Sequence, residues 1–174
     1  MARLDIRIFG DPVLRMRANE VTDFDAALRD LADDMLETLR AAHGVGLAAN
    51  QVGVLKRLFV WEHEDRNGVL VNPEVVETSE EIETIDEGCL SFPGLFYPAE
   101  RPLRARVRGV DVHGDATEET GEGLMARILL HELDHLNGIL FIDHLARHDR
   151  KEALRRIRNG ELEQVTAPSG APEL

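Results

Sequence analysis

The stretch A126-R-I-L-L-H-E-L-D-H-L-N-G-I-L-F141 decides how the rest of this chain is read. His131 and His135 flank Glu132 in the H-E-x-x-H spacing, which sets two imidazoles a turn apart on one side of a helix. The surrounding residues are strongly apolar, so the helix is expected to be buried and its polar groups to need partners. A metal ion would satisfy both histidines at once. Gly138 follows as a natural C′ residue, where a left-handed backbone ends a helix. A catalytic metal, however, normally takes three protein ligands and keeps an open position.

Upstream of this helix the pattern is short and β-like. RLFVWEH (57–63), GVLVN (68–72) and EVVETSEEIETIDE (74–87) read as strands. In PLRARVRGVDVHG (102–114), Leu103, Ala105 and Val107 alternate with arginine, the signature of a strand with one wet face. Before them, DAALRDLADDMLETLRAA (25–42) repeats Leu28, Leu31, Met35, Leu36 and Leu39 at three- and four-residue steps. Its acidic residues lie before and in the first turn, where the helix dipole favours them. The helical pattern around the metal motif runs from Gly121 to Asn137, and a last helix, LARHDRKEALRRIRNG (145–160), ends at Gly160. Strands followed by a motif-bearing helix predict an α+β fold: antiparallel or mixed sheets packed around a central helix, with a C-terminal helix. Residues 1–160 are expected to form one catalytic domain and 161–174 a disordered tail.

The 174 residues suffice for a core without disulfides, and the single cysteine, Cys89, excludes an intramolecular one. The N-terminal residues are too charged for a signal-peptide core, and no apolar run approaches the ~20 residues of a membrane span. These features point to the cytoplasm. A net charge of −13 argues against a general nucleic-acid binder. Residues 144–158 nevertheless carry six Arg or Lys against two Asp or Glu, a basic helix on an acidic body.

The third ligand is open on spacing alone. One protease class places a histidine six residues after the second, but Phe141 stands there. His43, His113, His144, a carboxylate and Cys89 are candidates. A set of Cys and two His would suit Zn²⁺ or Fe²⁺. Glu132, not needed as a ligand, is placed to take a proton from a water and hand it to a leaving amine. In GVGLAANQ (44–51), glycines allow close backbone approach and Gln51 offers an amide donor.

Taken in order, G44-V-G-L-A-A-N-Q51, E87-G-C-L-S91 and H131-E-L-D-H135 resemble the three signature motifs of the peptide deformylases. The likeness extends from IRIFGDPVLR to HLNGILFIDHL, about residues 4 to 145. The resemblance implies that Cys89, His131 and His135 hold one divalent ion, Fe²⁺ foremost, with Zn²⁺ or Ni²⁺ able to use the same ligands. It implies that the Gln51 side chain and the Leu90 backbone N–H stabilise an oxyanion. It implies hydrolysis of the N-formyl group on the initiator methionine of new polypeptides, with release of formate. Val45, Leu124 and Ile128 would line the methionine pocket, and backbone near Gly46 would pair with the substrate as a strand. The basic C-terminal helix would dock on ribosomal RNA, as in some family members.

Three features depart from the family pattern. Asn50 stands where Pro or Thr is usual, Phe92 replaces Ile or Val, and the aromatic GLFYPAERP replaces a polar loop. They bear on groove shape and on preference after methionine. Two rival functions are weighed: an H-E-x-x-H metalloprotease cutting internal peptide bonds, and a non-catalytic protein whose zinc site is closed by His144 or Asp134.

Overall fold

Asp25 accepts the N–H of Leu28 (2.9 Å) and caps the first helix, α1 (Ala26–Ala41). The chain then enters a short strand, β1 (Gly46–Ala48), and a 3-10 turn at Ala49–Val52. Here we describe residues 2–163 and 174 of the computed structural model. Strands β2 (Leu58–His63), β3 (Arg66–Thr78), β4 (Ile82–Glu87), β5 (Tyr97–Pro102), β6 (Arg104–Val110) and β7 (Ala116–Glu122) follow. Helices α2 (Leu124–Leu136) and α3 (Arg147–Arg158) complete the elements. The architecture is α+β, and every pairing between these strands is antiparallel. One sheet has the order β1-β2-β3-β6-β7; β4 and β5 form a second, two-stranded sheet.

The apolar run of β2 is explained by a sheet covered on both faces. Leu58 and Val60 join Leu28, Ala32, Met35 and Leu39 of α1, whereas Phe59 and Trp61 join Ile128, Leu129, Leu133 and Leu136 of α2. Period-two alternation thus divides one strand between two helices. A third cluster gathers Phe92, Leu95, Tyr97, Leu140, Phe141, Ile142 and Leu145 with Ala153 of α3.

Two expectations need correction, and β7 was not expected from the sequence. The helical pattern does not begin at Gly121: that residue belongs to β7, and α2 starts at Leu124. A Cβ at Gly121 would lie 2.7 Å from the backbone nitrogen of Ala126, so the strand passes too close to the helix for a side chain. The two runs at 68–72 and 74–87 are divided differently, because β3 continues through Pro73 to Thr78 with register shifts on either side of Glu74–Val75. Asn72, at φ 51°, absorbs the irregularity and exchanges two side-chain hydrogen bonds with the Val21 backbone. Finally, β7 has no apolar alternation to announce it. It is an edge strand whose acids face the arginines of β6, with Arg106 3.6 Å from Glu118.

Gly138 ends α2 at φ 73° as its position implied, and its missing Cβ also lets Arg15 O approach. Gly160 follows α3 in the same conformation. Of the stretch expected to be disordered, residues 164–173 lie outside the described residues. Glu161–Glu163 form a 3-10 turn that buries Leu162, and Leu174 is buried.

Candidate active site

Helix α2 carries His131 and His135 on the face turned toward the segment that follows β4. That segment brings Cys89 to them. Cys89 Sγ lies 3.4 Å from His135 Nε2, and the two Nε2 atoms are 3.1 Å apart. All three residues are buried, and their ligating atoms converge within 4.8 Å of one another. A tetrahedral ion with nitrogens at ~2.1 Å and sulfur at ~2.3 Å would set these separations near ~3.4 and ~3.6 Å. The observed spacings fall within a few tenths of those values, so the donor set fits a divalent metal.

The tautomer supports the same use. Glu87, the last residue of β4, receives His131 Nδ1–H on Oε1 at 2.6 Å. An ionised carboxylate only accepts, so the proton sits on Nδ1 and the Nε2 lone pair faces the other two donors. Burial pushes the Glu87 carboxyl up, but His131 and Arg101 outweigh it and hold it far below the usual carboxylate range. Arg101 gives Glu87 two hydrogen bonds, 3.2 Å from Nε and 2.8 Å from its terminal nitrogen. Arg127 gives a third at 2.6 Å. Arg101 also donates to Asp134 at 2.6 Å, and Asp134 lies 2.8 Å from His144.

That chain of contacts disposes of the rival fourth ligands. Asp134 and His144 pair with each other and with Arg101 rather than joining the Cys-His-His cluster. His43 and His113 lie outside the cluster. Phe141, at the protease ligand position, is core, edge-on to Phe92.

Glu132 is fully buried beside the cluster, and neither of its oxygens has a hydrogen-bond partner among the described residues. Burial raises its proton affinity well above the ordinary carboxyl value, and the nearby Glu87 charge adds to this. A buried carboxyl without a protein partner is the group expected to serve a guest. His135 Nδ1 is likewise unpartnered among the described residues.

Gln51 comes from the 3-10 turn after β1. Its Oε1 accepts the Ala48 N–H at 2.9 Å, which fixes the amide so that Nε2 points to Ser91 Oγ (3.1 Å) and Cys89 Sγ (3.6 Å). Gly46 lies against Glu132: a Cβ there would fall 2.4 Å from Oε1. Val45, Leu124 and Ile128 belong to one apolar cluster with Trp61, Phe59 and Leu129. Leu90 presents its backbone N–H to Leu174 O at 2.8 Å. The structure thus brings Cys89, His131 and His135 into one group, with Gln51 against Cys89 and Gly46 against Glu132.

Of the departures, Asn50 and Phe92 are interior. Asn50 donates to Met16 O (2.8 Å), and Phe92 stacks on Phe9 with centroids 4.8 Å apart. Tyr97 of the aromatic segment is core as well. Sequence reasoning missed Arg101 and Arg127, and it used Glu87 only as a motif letter. Arg127 did carry a signal, an arginine set inside the apolar run A-R-I-L-L.

Known proteins with the same features are found on comparison. The family described as polypeptide deformylase matches residues 3–151. A peptide deformylase of Acidothermus cellulolyticus is 51% identical over 161 residues, covering 92% of this chain and 89% of that one. One from Parafrankia is 45% identical, covering 97% and 93%. The crystal structure of peptide deformylase from Thermus thermophilus superposes with a TM-score of 0.85 at 44% identity, over 92% of this chain and 96% of that one. For the Legionella pneumophila structure the TM-score is 0.86 at 39% identity, over 96% and 100%.

Proposed function

The chain belongs to the peptide deformylase family, enzymes that act on formylated nascent polypeptides, and from that premise we propose how its own residues do the work. Cys89, His131 and His135 hold one divalent ion. Glu132, Gln51 and the Leu90 N–H act on the formyl group. The observation that carries this reading is the convergence of three ligand atoms beside a buried carboxylate that has no protein partner among the described residues.

A divalent ion held by three protein ligands supplies, when bound, Lewis acidity and a water acidified to a pKa of about 7. The protein's part is proton handling and charge placement. Glu132 takes the proton released as the water attacks the formyl carbon, and delivers it to the amine nitrogen as the C–N bond breaks. Water and the formamide thereby become formic acid and a free N-terminal amine, and the formic acid gives up its proton to become formate at neutral pH. The Gln51 amide and the Leu90 N–H face the oxygen that gains charge, and one such donor is typically worth ~2.7–4 kcal/mol in the barrier. Arg101 and Arg127 hold Glu87, and Glu87 holds the His131 ring.

Val45, Leu124 and Ile128 accept the unbranched methionine side chain. β1 is the outer strand of its sheet, and its free edge near Gly46 takes the peptide backbone by strand addition. Fe²⁺ is the metal we assign. The thiolate and two imidazoles also accept Zn²⁺ or Ni²⁺.

The ribosome is the proposed partner, through α3. Arg147, Lys151, Arg155 and Arg158 lie on this helix and make no ion pair among the described residues. Reversing these four charges should abolish salt-sensitive co-sedimentation with ribosomes; unchanged binding would end the idea. No helix among the described residues is long and apolar enough to cross a membrane. We assign the protein to the cytoplasm, where nascent chains are made.

The test is formate release from a short N-formyl-Met peptide by protein loaded anaerobically with Fe²⁺. Wild type should release formate, while Glu132→Ala should bind the ion and lose ~10²–10⁴ in rate. The unformylated peptide should not be cut. No formate from metal-loaded wild type would overturn the assignment.

A further inference from the structure

The last residue of the sequence stands inside the site. Leu174 is 1% exposed and belongs to the same apolar cluster as Val45, Leu124 and Ile128. Its backbone oxygen accepts the Leu90 N–H at 2.8 Å. A backbone oxygen therefore sits on the donor assigned to the formyl oxygen, while a side chain of methionine's volume class rests among the residues assigned to the methionine pocket. Leucine and methionine exchange with little cost in apolar sites. Both halves of substrate recognition are engaged at once by a residue of this chain.

We propose that Leu174 occupies the substrate position in cis, so that a residue of this chain competes with formylated peptides. This inference rests on the substrate reading given above for Val45, Leu124, Ile128 and Leu90. Reach is no obstacle: eleven residue steps from Glu163 span up to ~36 Å, comparable to the width of a domain of this size. Because tethering makes the competitor intramolecular, its effect is set by occupancy and is independent of protein concentration. If about nine molecules in ten hold Leu174 in the pocket, apparent affinity for any peptide falls about tenfold. Deformylation would then run fastest when substrate is abundant enough to displace the tail.

The experiment compares the 174-residue wild type with Leu174→Asp and Leu174→Ala. Calorimetry reads the Kd of the unformylated tripeptide Met-Ala-Ser, which is bound but not turned over. Steady-state kinetics on the formylated peptide read KM and kcat separately. The aspartate variant should lower both Kd and KM about tenfold with kcat held, and the alanine variant should fall between. Amide exchange at Leu90 should be protected in wild type and accelerated in both variants. Equal Kd, KM and Leu90 exchange in all three proteins would overturn the inference. So would a wild-type KM that rises with protein concentration, since that would make the competitor a second copy. Failure of all three to release formate would instead refute the deformylase reading of the site, while the calorimetry still reports on Leu174.

Discussion

Oε1 of Glu87 lies 2.6 Å from Nδ1 of His131, at the centre of a buried ionic group that includes Arg101 and Arg127. Removing one partner of such a group leaves the others charged and dry, which typically costs ~3–5 kcal/mol. Glu87→Gln keeps the shape and removes the charge. It should lower unfolding stability by about that amount in urea titrations. It should also weaken metal binding by ~10–100-fold in chelator competition, since the His131 ring loses its ionised acceptor. A variant with wild-type metal affinity would show that Glu87 serves the fold alone.

Gly46 is a different constraint, because here space is limiting. A Cβ would fall 2.4 Å from Oε1 of Glu132 and 2.8 Å from its Cγ and Cδ. Gly46→Ala should therefore push the carboxylate aside and leave the metal ligands in place. A misplacement of about 1 Å can cost ~10² in rate, so kcat should fall by about that factor. Metal stoichiometry should stay at one per chain, and overpacking should cost ~1–3 kcal/mol in stability. A kcat within twofold of wild type would mean that Glu132 tolerates displacement.

The sequence made the chemistry legible more readily than the framework around it. His131 and His135 are four residues apart, and β2 and α1 carry their periodicities openly, so local rules reach them. The Glu87–Arg101 pair is invisible locally. Fourteen residues separate the two, and they meet only because β4 and β5 pair in one register. β7 escaped because its stabilisation is electrostatic, arginine against glutamate across strands, and leaves no apolar pattern. Gly121 read as the start of a helix because its real role, a close crossing over Met125 and Ala126, is set by tertiary contact. Nothing near Leu174 in sequence hints at a buried position, which depends on a pocket built by residues far back along the chain, Val45 and Ile128 among them.

Asp143 ties the turn after α2 to the N-terminal segment. Arg15 meets it through two hydrogen bonds, 2.6 and 3.2 Å long, and the Leu140 N–H adds a third. Burial pushes the Asp143 carboxyl up, but the Arg15 contact outweighs it and holds it below the ordinary aspartate value. A carboxyl depressed in the folded state contributes stability fully present above its unfolded pKa of about 3.9 and lost as pH falls through the folded value. Both partners are partly solvated, so the contribution should be under ~1 kcal/mol. Asp143→Asn should be slightly less stable than wild type at neutral pH, and the difference should shrink as pH falls through the folded value. Thermal melts from neutral pH down to about pH 2 would measure it, and a difference that grew toward acid would contradict the assignment.

Gln51 offers the sharpest separation of binding from catalysis. Because Ala48 N–H commits its Oε1, the amide is fixed with its donor end toward Cys89 and Ser91. Gln51→Leu fills similar volume and removes that donor. If the amide acts on the charged oxygen of the transition state, kcat should fall ~10²–10³. The Kd for an unformylated Met peptide should stay unchanged, since that ligand has no formyl oxygen to contact. The orphaned Ala48 N–H should add a stability cost of ~1–3 kcal/mol, which is readable by urea denaturation and independent of the kinetics. A Gln51→Leu enzyme that lost peptide affinity but kept kcat would move Gln51 from charge stabilisation to groove construction. The Leu90 N–H would then be left as the protein's donor to the oxyanion.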